Sequence, residues 1–326
     1  MKAFVTGATG FIGSHIAEKL LAQGWDVDVL VRAPDRPSWL DLIPKANKVP
    51  GSLDNVAALE RAVERAELII HSAGRVQARS EGEYDATNVD GTCNLLEAAR
   101  RSAAKLTRFV HISSQAAGGP STNGRFVTEN DPPGPITPYG RSKLSSERVV
   151  QEFGKDVPFT IIRPPAVYGP RDRGVYLYFK LAANGFVPVV GSPQRQVSLV
   201  HVHDLVAGTL SAAGSAQAAG ETYYLTSGHW NWEELSSGVI RAVGRGRKVR
   251  LPAFVLSVVS AILHTAAGVL GKAVVLDRHK AREILQAAWL CSHAKASEHF
   301  GYTPAYDLDR GMQETARWYR EQGWIS

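Results

Sequence analysis

The stretch VTGATGFIGSHIAEKL, residues 5–20, constrains the fold more than any other part of the chain. KAFVTG (2–7) reads as a strand and GSHIAEKLLAQG (13–24) as a helix, so Gly7, Gly10 and Gly13 punctuate the turn between them, with Thr9, Phe11 and Ile12 filling it. Glycine lets the backbone come close to a pyrophosphate, and a helix start supplies free N–H groups and the positive end of the helix dipole. The spacing is GxxGxxG rather than GxGxxG. Its position directly between strand and helix is nevertheless what a dinucleotide-binding turn requires.

The alternation continues. DVDVLVR (26–32) reads as a second strand, 54–65 as a helix, ELIIHSAG (67–74) as a strand, 88–102 as a helix and RFVHISS (108–114) as a strand. Residues 115–138, rich in Gly, Pro, Ser and Thr, read as a surface loop, followed by a helix at 138–153 and the strand FTIIRP (159–164). β-Branched runs separated by helical patterns predict an α/β chain with a parallel sheet and crossover helices. The pattern then loosens. We place a dinucleotide-binding domain at 1–165, with a strand and helix at 197–213 returning to its sheet, and a mainly substrate-binding lobe at 166–326.

A formal charge of +6 over 326 residues suits an anionic small molecule better than a nucleic-acid surface. Two cysteines, Cys93 and Cys291, make no disulfide framework and fit a reducing compartment. With the strand and glycine turn inside the first ten residues there is no room for a leader, and the expectation is a cytoplasmic protein. The apolar run at 253–276, interrupted only by His264 and Lys272, is near the lower limit for a membrane span. A buried or substrate-facing helix is the preferred reading, with membrane contact as the alternative.

At the end of the second strand, where a ribose-binding acid commonly stands, the sequence reads VLVRAPDR. Val31 is apolar, and Arg32 and Arg36 suit a 2′-phosphate that a carboxylate would repel, so NADP(H) is preferred and NAD(H) is the alternative.

TGATGFIG, IIHSAG, NVDGT, FVHISS, PYGRSK, RPPAVYGPRD and SLVHVHDL follow one another in an order that resembles the extended short-chain dehydrogenase/reductase family, its NAD(P)-dependent epimerase/dehydratase group. The resemblance implies a Rossmann-type doubly wound parallel sheet with a smaller mixed α/β C-terminal substrate lobe. It implies a Tyr-x-x-x-Lys pair, matched by Tyr139 and Lys143, and an upstream hydroxyl, for which family spacing favours Ser114 over Ser113. In that scheme Tyr139 exchanges a proton with the substrate oxygen, Lys143 favours the phenolate by its charge and holds the nicotinamide ribose, and Ser114 positions the oxygen. Asn88 matches an asparagine supporting the active-site backbone. Ala73 and Gly74 would line the cofactor, Leu53 would pack on adenine, and Pro164, Pro165 and Ala166 would border the nicotinamide. Ser52 stands where the family often has an acid. Family habit also implies a homodimer through helices 88–102 and 138–153.

Ser114 is followed by Gln115 and Ala116, which cannot supply the Asp-Glu pair of the family's dehydratases. Val197 replaces the arginine with which many of its epimerases hold a sugar diphosphate, and Arg195 lies two residues earlier. SLVHV is closer to the branch holding 3β-hydroxysteroid dehydrogenases and dihydroflavonol reductases. The expectation is therefore NAD(P)-dependent interconversion of a secondary alcohol and a ketone on a fairly apolar small molecule. A nucleotide-sugar epimerase is the runner-up and a silent dinucleotide-binding regulator the third reading. His201 and His203, placed on one strand face, lack a third ligand at useful spacing, so no metal is expected. The basic run 241–252 reads as a solvated turn rather than a nucleic-acid site, the tryptophans at 230, 232 and 289 as lobe packing, and Cys93 as buried.

Overall fold

The structure is a computed structural model that describes residues 1–122, 124–255 and 278–326. Strand β1 (Lys2–Thr6) runs into helix α1 (Phe11–Ala22), and β2 (Asp26–Val31), β3 (Asn47–Pro50), α2 (Val56–Val63) and β4 (Leu68–His71) follow. After α3 (Glu81–Asp85) the helical path makes one π turn, Ala86–Asp90, and continues as α4 (Gly91–Ser102). Then come β5 (Arg108–Ile112), the short α5 (Gln115–Gly118), α6 (Pro138–Glu152), β6 (Phe159–Arg163) and β7 (Ala166–Tyr168). The remaining elements are α7 (Tyr176–Ala183), β8 (Phe186–Val190), β9 (Gln196–His201), α8 (Val202–Gly214), β10 (Glu221–Tyr224), β11 (Gly228–Asn231), α9 (Trp232–Val243) and β12 (Arg247–Leu251). The chain ends with α10 (Arg278–Ile284), β13 (Ala288–Trp289), α11 (Ala294–Phe300) and α12 (Leu308–Glu321).

Seven strands form a parallel sheet in the order β10-β6-β5-β4-β1-β2-β3. The inner strands β1, β4, β5 and β6 are covered on both faces and mostly apolar, whereas the edge strand β3 is largely exposed. Val5, Val29, Ile70, Val110 and Ile162 pack one face against α1 and α8, while Phe4, Ile69, Phe109 and Ile161 pack the other with α2 and α4. A full burial of such a side chain contributes about 1.5–3 kcal/mol, so these two layers dominate the stability of the sheet. The order reverses between β1 and β4, and their carboxyl ends open the crevice where ligands bind in sheets of this kind.

Three expectations are corrected. Strand β9 does not return to the main sheet: it pairs with β7, β11 and β13 in a second sheet, and only α8 packs back on the large one. The strand that does join, β10, pairs in parallel with β6. Nor is 115–138 simply a surface loop. Gln115–Gly118 are buried, and Ser121 and Val127 are held by backbone bonds from their amides to the carbonyls of Ala288 (3.1 Å) and Leu290 (3.0 Å). Finally, His201 and His203 do not share a strand face, because β9 ends at His201, which caps α8, and His203 lies in the first turn of that helix.

The apolar run 253–276 falls almost entirely outside the described residues, and only Ala253–Val255 are seen, in helical conformation. Among the described residues no helix is long and apolar enough to cross a membrane. Trp230 and Trp232 pack in the core of the smaller lobe, whereas Cys93 is half-buried rather than buried.

Candidate active site

The glycine turn is built for close approach. Gly7 has φ +75°, and a Cβ there would lie 2.6 Å from Ala73 N and Ser72 C; one on Gly13 would lie 2.4 Å from the Gly7 carbonyl oxygen. Gly10 N donates to Gly7 O at 2.9 Å, closing the turn. Gly10 caps α1 with no side-chain hydrogen bond, and the first helical turn contains no acidic residue. The orphan N–H groups at Phe11 and Ile12 therefore face outward with their dipole uncompensated, as a bound pyrophosphate needs. The residues present fit a dinucleotide.

Val31 is buried at the end of β2, and Arg32 and Arg36 are exposed in the loop that follows, which turns through a bond from Arg36 N to Ala33 O (3.1 Å). Neither guanidinium has an ion-pair partner among the described residues. Ser52 donates its hydroxyl to Asp54, so a carboxylate two residues on stands beside the position where the sequence showed none. Leu53 packs against Gly91 at the start of α4, leaving its contact with a base to the side turned away from that helix.

Asn88 is completely buried inside the π turn. Its side chain accepts from Arg75 N (2.7 Å) and donates to Arg75 O (3.0 Å) and Ser142 Oγ (2.9 Å), clamping the loop after β4 to α6. Residue spacing alone did not show what sits beneath it. Thr92 Oγ1 donates to the Asn88 carbonyl (2.7 Å), so it accepts from His71 Nε2 (2.9 Å), and His71 Nδ1 is left to accept from Thr6 Oγ1 (2.7 Å). Thr6 Oγ1 in turn accepts from Ala73 N (3.2 Å). Burial, aided by the charge of Lys143, lowers the pKa of His71 to about 3 and keeps it in this single neutral form.

Helix α6 begins as its sequence suggests, with Thr137 Oγ1 accepting from Gly140 N (3.2 Å) and Pro138 in the first turn. That start places Tyr139 close enough to Ser114 for the serine to act on its phenol, and near the ring of Tyr84 at 6.1 Å. Burial pushes the phenol up to about 12; Ser114 beside it pulls it down, and Glu283 and Tyr84 push it further up. Lys143 Nζ donates to the Ile112 carbonyl (2.8 Å), which fixes the ammonium at the end of β5. Burial lowers the Lys143 ammonium to about 8, opposed by the carboxylate of Glu147. A Cβ on Gly74 would come within 3.9 Å of Lys143 Nζ and 3.3 Å of Asn88 Oδ1, so the loop after β4 lies directly over these groups.

The two serines are separated by their partners. Ser113 donates to Glu147, which also takes a bidentate pair from Arg163 Nε (2.9 Å) and Arg163 Nη2 (2.6 Å), all buried. Only Ser114 is left for Tyr139. Pro164 and Pro165 are buried, the former accepting from Gln115 N (2.8 Å), and Ala166 is exposed at the start of β7. Gln115 Nε2 is buried without a partner among the described residues.

Two further residues bear on the site. Glu283 of α10 accepts from Thr137 Oγ1 (3.0 Å) and from Lys280 Nζ (2.9 Å), bringing a carboxylate to the start of the helix that carries Tyr139. It is distant in sequence from every motif, and no signal there pointed to it. Val197 lies against Trp230 in the core of the smaller lobe, and Arg195 packs on Gly191 with Nη1 3.5 Å from the Ile284 carbonyl oxygen. Among the described residues no group of three His, Cys, Asp or Glu side chains could hold a metal ion.

A family profile described as the NAD dependent epimerase/dehydratase family matches residues 3–225. A ceramide reductase of Caulobacter vibrioides is 34% identical over 98% of this chain and 95% of its own. A 3-beta-hydroxysteroid dehydrogenase of Mycolicibacterium neoaurum is 28% identical over 98% and 92% of the two chains. Among solved structures, the UDP-glucose 4-epimerase of Thermotoga maritima superposes with a TM-score of 0.82 at 23% identity, covering 99% of each chain, which is a likeness of fold.

Proposed function

Because the chain belongs to the NAD dependent epimerase/dehydratase family, we propose that it is an NADP(H)-preferring reductase of a ketone on a long-chain, ceramide-like lipid. The observation that carries the reading is the placing of Tyr139, in the first turn of α6, beside Ser114 just after β5, with Lys143 one turn further along the same helix. A phenol protonated at neutral pH can give that proton to a carbonyl oxygen as the alcohol forms. The dinucleotide supplies hydride when bound. Ser114 orients the substrate oxygen toward Tyr139, which releases its proton to that oxygen as the alcohol forms. Asn88 holds the loop over the site, and Arg32 and Arg36 favour a 2′-phosphate.

Several features support redox over the alternatives. Gln115 and Ala116 offer no acid/base pair for elimination of water. Val197 and Arg195 are both engaged elsewhere, which weakens the case for a sugar diphosphate. The relative named ceramide reductase supports a lipid substrate, and the dehydrogenase relative supports an apolar ketone or alcohol. The intact set Ser114, Tyr139, Lys143 argues against a silent regulator.

The test is to incubate the purified protein with NADPH or NADH and either long-chain ketones or UDP-glucose. One NADPH consumed per ketone reduced supports the reading, with Tyr139→Phe about 100-fold slower or worse. Inversion of the sugar with no net loss of dinucleotide sinks it.

A further inference from the structure

The smaller lobe grips the dinucleotide-binding elements through three consecutive residues, Arg171, Asp172 and Arg173, none of which the proposed chemistry uses. Arg171 is buried and takes φ +70°, the only positive φ outside glycine among the described residues. A non-glycine residue in that region persists only where its surroundings fix it. Its Nη1 donates to Ser14 Oγ (3.2 Å) and His15 Nδ1 (3.3 Å), and its Nη2 to Glu18 Oε2 (2.7 Å). All three acceptors lie on α1, the helix whose first N–H groups face the pyrophosphate position. Asp172 fixes the turn that follows, accepting from Gly174 N (2.7 Å) and Val175 N (2.8 Å).

Arg173 meets the β2–β3 loop instead. Its guanidinium lies 5.7 Å from the ring centre of Trp39 and 5.6 Å from that of Trp324, within cation–π range of both. Trp39 also meets Trp318 edge-on at 5.6 Å. Trp324 stacks on Tyr319 at 5.6 Å, and Tyr319 Oη donates to the Asp172 carbonyl (2.9 Å), so the rings and the arginine segment form one packed unit. Trp39 stands in the same loop as Arg32 and Arg36, and the next residue, Leu40, is buried in the core of the large domain. Adjacent side chains thus tie this loop to both lobes, while Arg32 and Arg36 themselves are exposed. Arginines on a loop that is already held lose less conformational freedom when they close on a phosphate.

We propose that Arg173 is a positioning residue for the 2′-phosphate of the dinucleotide: clamped between Trp39 and Trp324, it holds the β2–β3 loop so that Arg32 and Arg36 are presented together. Arg171 fixes α1 in the same frame. This role rests on the NADP(H) preference proposed above and adds that the preference is set from the smaller lobe, by a residue far along the chain from the arginines it serves.

The test is isothermal titration calorimetry with NADPH and with NADH on the parent, Arg173→Leu, Trp39→Leu and the double variant, alongside thermal melts. The expected result is NADPH affinity weakened about fivefold or more by either single change, NADH affinity unchanged, and the double variant no weaker than the worse single one. The Arg173 variant should melt close to the parent, since the side chain is exposed, which separates a local effect from loss of the fold. Equal weakening of both dinucleotides would make the clamp a general support and overturn the proposal. A parent that prefers NADPH, with both single variants unchanged, also overturns it and leaves the NADP(H) reading standing. A parent without that preference sinks the NADP(H) reading and the proposal together. Selective loss of NADPH binding in a protein that reduces no ketone leaves the clamp standing and removes only the reductase reading.

Discussion

Lys143 offers a direct measurement of what burial does to a charge beside the candidate site. Its ammonium is buried, falls to about 8 in the fold, and compares with 10.5 for an ordinary lysine. Below pH 8 both folded and unfolded chains are protonated there, and the fold bears the whole cost of the buried charge, about 3 kcal/mol. Between the two values the folded chain has lost its proton and the unfolded chain keeps it, so stability rises with pH. At pH 9.5 about 1 kcal/mol of the cost remains, a relief of about 2 kcal/mol since neutrality. For a chain of this size that is roughly 4 °C in melting temperature. Lys143→Met removes the titration. The thiols of Cys93 and Cys291, both raised by burial, titrate in the same alkaline range with the opposite sign, but they are common to both proteins and cancel in the difference. Melting curves from pH 7 to 9.5 should therefore show the parent gaining roughly 4 °C relative to the variant. Parallel curves for the two proteins would refute the claim that burial depresses this amine.

Ser113→Ala should cost about 1–2 kcal/mol of stability through the Glu147–Arg163 pair yet leave kcat near the parent value, whereas Ser114→Ala should lower kcat about 100-fold with little change in melting. Steady-state rates and thermal melts on both variants check this; equal losses of kcat would erase the distinction between the serines. Arg32→Ala with Arg36→Ala should raise KM for NADPH about tenfold or more and leave that for NADH nearly unchanged, read from paired titrations. Gly7→Ala forces a Cβ to 2.6 Å from the Ser72–Ala73 peptide at φ +75°, and fluorescence titration should show dinucleotide binding lost. Retained affinity there would mean that the turn is not the binding element.

The N-terminal half was legible because its information is local. In Lys2–Ala22 a five-residue strand, a glycine turn and an amphipathic helix announce themselves without reference to the rest of the chain. The start of α6 was equally plain, since Thr137 and Pro138 are cap residues by their own chemistry. Pairing at long range was not. ETYY, the core of β10, is four residues long, too short for its periodicity to separate strand from helix, and its place beside β6 depends on what the intervening chain does. Composition marked 115–138 as irregular, correctly, but irregular backbone is exposed only if nothing covers it, and here Ala288–Leu290 bond to it from far along the chain. Lys143 shows the same limit at a position of the proposed site. Its spacing from Tyr139 was readable, while the carbonyl to which its ammonium turns belongs to β5.

The bonded series from Thr6 through His71 and Thr92 to Asn88 has a polarity that cannot be reversed, because it ends on a carbonyl that can only accept. Every hydrogen in it has one place to be. Its dipoles are aligned before any substrate arrives, and they join the strand feeding the glycine turn to the residue that holds the loop over Tyr139. Little reorganisation is then left to perform as charge develops on a substrate oxygen. The histidine at its centre, easily taken for a proton carrier, acts instead as a spacer that keeps protons from moving.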